Sequence, residues 1–342
     1  MGKTLYVYVQ SEKTWFSTVD GILFSDFFHT DLPVQIVQES SADKLTEFLA
    51  RRKITKLTFG ALSGFLQGRY QLGRLLEKMA GQYDHVIVLF LNFNFASVRY
   101  PAEVLQGYRK RWPNIRYVLC YLDLIEYGCS RYANYLRERS VFDAVYTFDQ
   151  TDAQKYNLIF WRTPYSSISE LQCVQPKKDV YFTGTSGGRC TSLHAIFQYG
   201  VKHGADIEMD LLLTSPDDVT DFSQSTAKYR LHPYSDIVPY RAVLEKTLEA
   251  RCILDVVRPN QMGLSLRAYE AVVYNRKLLT NNPSILTFPF YDPRYMRCFE
   301  TVEDIDWDWV KEDTPVDYHY CGEFSPINLL KDAQERFWGK RD

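Results

Sequence analysis

Arg267 and Glu270 stand three residues apart, just beyond a break that contains Pro259, Asn260, Gln261 and Gly263. A guanidinium can offer a phosphate two parallel N–H donors, and a carboxylate can accept from both hydroxyls of a ribose diol. The break follows Cys252-Ile253-Leu254-Asp255-Val256-Val257, an apolar run suited to a buried parallel strand. Beyond it, Leu264, Ala268, Ala271 and Val272 fall at i, i+4, i+7 and i+8, which is one apolar helical stripe. Gly263, Arg267, Glu270 and Tyr274 form a second, mostly polar stripe. A strand, a small-residue turn and a helix whose first N–H groups lack acceptors together make an anion site. The same spacing also fits a plain Arg267–Glu270 pair at the surface, and spacing alone leaves both readings open.

A second glycine turn lies upstream. Asp179-Val180-Tyr181-Phe182-Thr183-Gly184 has a strand pattern, Thr185-Ser186-Gly187-Gly188-Arg189 follows, and a helix runs through Ser192–Tyr199. Such a turn lets backbone N–H groups approach a phosphate, although it is neither GxGxxG nor a Walker loop. Side chains able to take a proton cluster in the first half: Asp20, Asp26 and His29 in an aromatic loop, and Asp123 closing an apolar run. Asn92-Phe93-Asn94 and Glu126 occupy comparable strand-end positions. A cap or a solvated charge is the alternative for each carboxylate.

These residues need elements to hold them. Strands are expected at Leu5–Val9, Val34–Val37, Lys56–Gly60, His85–Asn92, Ile115–Leu122 and Ala144–Phe148, with helices at Ala42–Arg51, Gln71–Met79, Val104–Trp112 and Tyr132–Arg139. Residues 161–176, with Thr163-Pro164 and Pro176, read as a linker. Strands at Asp179, Leu211–Leu213, Cys252 and Lys277–Thr280 alternate with helices again, including Tyr240–Ala250 and a closing helix at Pro326–Trp338. Strand–helix alternation implies an α/β chain with doubly wound parallel sheets. Its 342 residues suit two such domains.

Composition narrows the class. Hydrophobic residues make up 46% and charged residues 24%, as in ordinary globular chains. A net charge of −2 offers no case for nucleic acid as a partner. The 7 Cys are scattered without CxxC spacing, so neither a disulfide framework nor a structural zinc is expected. Asp306-Trp307-Asp308 fits the letters of a DxD metal site but reads as a helix N-terminus, and no metal is expected. The start of the chain enters a strand pattern at once, and no apolar run reaches membrane-spanning length, which predicts a cytoplasmic protein. The basic runs Arg51-Arg52-Lys53 and Arg109-Lys110-Arg111-Trp112 are solvated helix ends or, alternatively, peripheral contacts with an anionic membrane at its inner face.

Gln261-x-Gly263-Leu264-Ser265-x-Arg267-x-x-Glu270-Ala271, with Lys277-Leu278-Leu279-Thr280-Asn281-Asn282 after it, resembles the donor region of bacterial GT-B glycosyltransferases of lipopolysaccharide and capsular polysaccharide synthesis. Looser similarity extends to Phe142–Tyr156, to Gly184 and Arg189, and to the Pro233–Tyr240 region. The resemblance implies two Rossmann-like domains facing a cleft: an acceptor domain at 1–162, a nucleotide-sugar domain at 177–325, and a helix at 326–342 packing back on the first. It implies a metal-independent hexosyltransferase with no cofactor beyond the nucleotide-sugar substrate, acting on a glycan or lipid-linked acceptor. Arg189 and Arg267 would hold the diphosphate and Glu270 the ribose. Gly184, Gly187 and Gly263 would allow close backbone approach, with Ser186, Gln261, Ser265 and Asn281 beside them. An inverting enzyme would draw its base from Asp123, Asp26, Asp20 or His29. A nucleotide-sugar epimerase and a non-catalytic sugar-nucleotide-binding subunit are the competing expectations.

Overall fold

A computed structural model describes residues 2–11, 16–39, 70–93, 95, 100, 102–125, 139–172, 174–213, 228–233, 238–258 and 261–339. The expected helix at 42–51 and strand at 56–60, the basic run at 51–53, Asn94 and Glu126 lie outside these residues, as does all of the expected 132–139 helix except Arg139. The chain divides into two compact units, Met1–Ser166 with Phe324–Asp342, and Ser167–Glu323.

In the first unit, β1 (Thr4–Ser11), β2 (Val34–Glu39), β3 (His85–Leu91), β4 (Ile115–Tyr121), β5 (Ala144–Thr147) and β6 (Ile159–Phe160) form one sheet. Their order is β2-β1-β3-β4-β5-β6, and every neighbouring pair is parallel. Helices α1 (Phe16–Leu23), α2 (Gln71–Met79), α3 (Ala102–Arg111) and α4 (Gln150–Tyr156) connect strands. β3 is apolar at six consecutive positions, Val86 to Leu91, because both faces of a parallel sheet are covered. Val7, Val9, Val88, Phe90 and Leu119 share one core with Val104, Leu105 and Tyr108 of α3. Tyr8 points the other way and stacks on Phe24 at 5.1 Å.

The second unit holds β7 (Lys178–Thr185), β8 (Ile207–Leu212), β9 (Tyr229–His232), β10 (Ala250–Asp255), β11 (Lys277–Thr280) and β12 (Met296–Cys298). Between them run α5 (Cys190–Lys202), α6 (Tyr240–Leu248) and α7 (Leu266–Val273), and α8 (Trp307–Lys311) follows β12. All neighbouring pairs are parallel, in the order β12-β11-β10-β7-β8-β9. Asp306 caps α8 by accepting from the Trp309 N–H at 3.0 Å, which settles the Asp306-Trp307-Asp308 run as a helix start. The last helix, α9 (Pro326–Trp338), belongs to the first unit, where Tyr6 donates to its Gln334 and Tyr146 to its Asp332 at 2.7 Å.

Three short strands, β6, β9 and β12, are not visible as periodic segments, and β8 starts four residues before the apolar Leu211–Leu213 run. For β8 and β9 the reason lies in charge. Glu208 and Asp210 look like loop residues in sequence, yet they are strand residues paired laterally. Arg230 of β9 binds Glu208 and, at 2.7 Å, Asp210. Lys178 of β7 reaches Glu208, while Tyr181 and His232 bind Asp210 at 2.7 and 2.9 Å.

Burial opposes the Asp210 charge, but donors from Arg230, His232 and Tyr181 outweigh it and hold the carboxyl well below its usual range. A carboxyl depressed in the folded state contributes stability above the unfolded pKa of about 3.9 and loses it as pH falls further. The melting-temperature gap between wild type and Asp210→Asn is therefore expected to be full near neutrality and to close progressively below about pH 4. A gap that stays constant down to acid pH would show that shape, not charge, sets the contribution of Asp210.

The basic run at the end of α3 is tied down. Arg109 binds Asp143 at 2.6 Å and the Val141 carbonyl, and Arg111 binds Glu77 at 2.5 Å. Among the described residues no helix is long and apolar enough to cross a membrane.

Candidate functional site

Strand order places the two glycine-containing breaks side by side. β7 leads on one flank to β8, and β10 on the other flank leads to β11, so chain direction across the sheet reverses between β7 and β10. In open α/β sheets the loops leaving two such strands diverge and open a crevice at their carboxyl ends. Thr185–Arg189 leaves β7; Val256–Arg258 leaves β10, and Gln261–Ser265 leads into α7.

The first turn is built around glycine. Gly187 and Gly188 have φ of +44° and +77°, the left-handed region that side chains resist. The Arg189 N–H closes the turn on the Ser186 carbonyl at 2.8 Å, and α5 begins at the next residue. A Cβ on Gly187 would lie 3.2 Å from Arg258 Nε, so a bulkier residue would displace that guanidinium. Gly184 differs, since a Cβ there would make only ordinary van der Waals contact with Phe182 at 3.4 Å and Arg189 Nη2 at 3.5 Å.

Arg189 is largely turned inward. Its guanidinium donates to the carbonyls of Thr185 and Val256, bridging the ends of β7 and β10. Burial, and next the neighbouring Arg258 charge, lower its pKa to about 10, so it stays a cation at neutral pH. Arg258 Nη2 donates to Thr185 Oγ1 at 2.9 Å, and Arg189 Nη2 reaches the same oxygen at 3.4 Å.

The second break is latched by side chains. Ser265 caps α7 by accepting from the Arg267 N–H at 3.1 Å, and its hydroxyl donates to Asp255 Oδ1 at 2.8 Å. Thr280 donates to the other Asp255 oxygen at 2.9 Å, across the register pair Asp255–Thr280. Burial raises the Asp255 pKa despite these two hydroxyl donors. Gln261 and Asn282 both donate to the Gly263 carbonyl, at 3.1 and 3.2 Å. Asn281 accepts from the Val257 N–H at 2.8 Å.

Arg267 and Glu270 are paired with each other, as the plainer reading of their spacing held, but the pair is buried rather than superficial. Glu270 is 0% exposed, and Arg267 Nη1 reaches its Oε1 at 2.6 Å. Tyr240 of α6 donates to the same carboxylate, and Arg267 Nη2 donates to the Thr183 carbonyl at 3.3 Å. Burial works against the Arg267 charge, but the Glu270 carboxylate outweighs it and holds the guanidinium above its ordinary range.

Solved structures similar to this chain include two that span nearly all of it. One is assigned as a UDP-N-acetylglucosamine 2-epimerase from Listeria monocytogenes; at 8% identity it gives a TM-score of 0.52 over 100% of this chain and 98% of its own. The other is an alpha-glucosyltransferase in complex with UDP-glucose and DNA containing an abasic site; at 11% identity it gives 0.54 over 90% of each chain. The chain has the GT-B fold. No protein-family model and no curated protein sequence matches it.

Within this GT-B chain, the structure gathers Gly184, Ser186, Gly187, Arg189, Gln261, Gly263, Ser265, Arg267, Glu270 and Asn281 on the β7, β10 and β11 exits and the start of α7. Sequence reasoning passed over Asp255, Arg258, Thr280 and Tyr240. Arg258 had one visible signal, a lone cation between an apolar strand and a Pro-Asn break.

The proton-accepting candidates all belong to the first unit. Asp26 accepts from the Ser325 hydroxyl, and its backbone N–H donates to Ser166 at 3.0 Å, so it fastens the start of α9. His29 is exposed and ends a short 3₁₀ turn. Asp20 lies in α1, with its side chain outside the described residues. Asp123 is exposed just past β4, where its Oδ1 accepts from the Leu124 N–H at 2.9 Å. The neighbouring Leu122 N–H donates to Asn92 at 3.2 Å, which draws the β4 exit against that of β3. β3 and β1 flank the strand-order reversal of this sheet. Among the described residues no cluster of three or more His, Cys, Asp or Glu could hold a metal ion.

Proposed function

We propose that this chain is a glycosyltransferase that moves a hexosyl group from a nucleotide sugar to a glycan or lipid-linked acceptor in cell-surface polysaccharide synthesis. The observation that carries the reading is the pairing of the Gly187-Gly188 turn with Arg258 and the latched Gln261–Ser265 stretch at the β7/β10 reversal. Backbone N–H groups there, the start of α5 and the nearby guanidinium groups supply positive charge for a diphosphate. Fixed donors of this kind offset the charge of a departing nucleoside diphosphate without reorganising during the reaction, and no metal is assigned to that task. The first unit would supply the group that takes the acceptor proton.

The fold is equally compatible with a nucleotide-sugar 2-epimerase, and the likeness to a protein assigned that activity favours it as the second reading. An epimerase converts donor with no acceptor present, whereas a transferase needs one. A non-catalytic subunit would bind donor and return it intact.

Nucleoside diphosphates are expected to stabilise the chain in the presence of a metal chelator, by about 2.7 kcal/mol at 100 times Kd. A thermal-shift panel of UDP, GDP, ADP and CDP, each with and without Mg²⁺ or Mn²⁺, measures this. Stabilisation that appears only with a divalent ion would refute metal-free binding.

A further inference from the structure

Among its described residues the second unit buries three carboxylates, Asp210, Asp255 and Glu270, and they differ in what faces them. Asp210 is bound by Arg230 and Glu270 by Arg267, each a permanent cation. Asp255, the last residue of β10, meets two hydroxyls instead. Ser265 donates to its Oδ1 at 2.8 Å and Thr280 to its Oδ2 at 2.9 Å. Each hydroxyl in turn accepts a backbone N–H, Ser265 from Arg267 at 3.1 Å and Thr280 from Asn282 at 3.1 Å. A hydroxyl has one proton to give, and an ionised carboxylate can only accept. Both hydroxyls are therefore locked inward while Asp255 is charged.

A proton on Asp255 would undo one of these locks. The carboxyl would then donate, and the hydroxyl receiving it would keep its backbone N–H and turn its own proton away. Thr280 is buried, whereas Ser265 is half-buried at the start of α7, so Ser265 is the hydroxyl that can be released. The charged groups facing Asp255 are Arg267 from α7 and Arg189 from the residue before α5, with Arg258 beyond Arg189; β11 presents the Thr280 hydroxyl. Glu270 is matched by Arg267 itself. Burial pushes the Asp255 carboxyl up, against the pull of the two hydroxyls and the two cations. An anion drawn to this strand exit would push it further, because a second negative charge disfavours the first.

Resting on the nucleotide-sugar reading, we infer that Asp255 is a proton-linked switch: a nucleoside diphosphate bound at the β7/β10 exits brings one solvent proton onto its carboxylate, and Ser265 turns its hydroxyl proton from Asp255 to a phosphate oxygen. The exchange balances, since the carboxylate gains one O–H bond, the hydroxyl keeps its own and no other bond breaks. Binding that takes up a proton raises the affinity of the protein for protons by the same factor. Nucleotide affinity then falls as pH rises across the Asp255 titration, by at most about tenfold per pH unit for one proton.

The test titrates UDP, GDP, ADP and CDP calorimetrically into the full chain with a chelator present, from about pH 5 to about pH 9. Paired buffers of different ionisation enthalpy count the protons taken up. The ligand's own phosphate titrates near about pH 6, so the reading is the difference between wild type and Asp255→Asn, in which that contribution cancels. Wild type is expected to take up about one more proton than the variant where its profile is steepest. Asp255→Asn presents a neutral carboxamide that can donate to Ser265 as the protonated acid would. It should match wild type at acid pH and bind roughly tenfold tighter than wild type at the alkaline end. A structural role alone would instead lower its affinity at every pH. Thr280→Val keeps the carboxylate but removes one donor, so its profile should move to higher pH; it decides the matter should Asp255→Asn not fold. Equal proton counts and parallel profiles in wild type and Asp255→Asn, or an unmoved profile in Thr280→Val, overturn the switch and leave the nucleotide reading in place. A wild-type chain that binds none of the four overturns both.

Discussion

Glu270→Ala should unfold the second unit at markedly lower denaturant, with a loss of about 3–5 kcal/mol. The loss is large because of what would remain. Arg267 has a side chain 14% exposed and would keep its charge without its hydrogen-bonded carboxylate, while Tyr240 would lose its acceptor. In a unit of this size each kcal/mol moves the melting temperature by roughly 2–4 °C, so a drop on the order of 10 °C is expected. The double variant Arg267→Met with Glu270→Leu should recover much of it, since apolar groups of similar volume need no partner. Urea melts of the three chains decide the matter. If Glu270→Ala melts like wild type and only nucleotide affinity falls, the carboxylate is a ligand group with no structural share.

Asp123→Asn is expected to lower kcat by about 10²–10⁴ while donor affinity stays as it was, if transfer proceeds with inversion. Asp123 is exposed at a strand exit, the geometry that a base receiving an acceptor proton needs. Asp26→Asn should behave otherwise, disturbing the start of α9 through Ser325 and Ser166, so that stability suffers before rate. Asp20→Asn completes the series. Transfer and donor binding measured for each variant separate the roles. Near-normal transfer in all three would remove these carboxylates as bases and turn attention to retention.

The fold class was legible because parallel sheets leave a plain trace: β3 and β10 are apolar runs with helical stripes between. The pairing of Arg267 with Glu270 was legible too, since residues three apart on a helix are neighbours. Its depth was not. Nothing in the spacing says that α7 carries Glu270 beneath Tyr240, because that depends on where α6 packs. The same limit hid Asp255 and Thr280, which lie 25 residues apart and meet only through strand register. Arg189 was read correctly as a residue of the turn, but its guanidinium is bound to the Val256 carbonyl, just past the end of β10. β9 escaped because its partners on β8 are charges, which periodicity counts as loop.

The side-chain latches on the β10 exit bear on kinetics. The Val257 N–H is held by Asn281, and the Gly263 carbonyl by Gln261 and Asn282, so these backbone groups are set before any ligand arrives. Association at this strand end then carries little ordering entropy, and affinity differences among ligands should reside in how fast they leave. The Val257 amide should exchange its hydrogen slowly in the free protein and scarcely more slowly in the bound one.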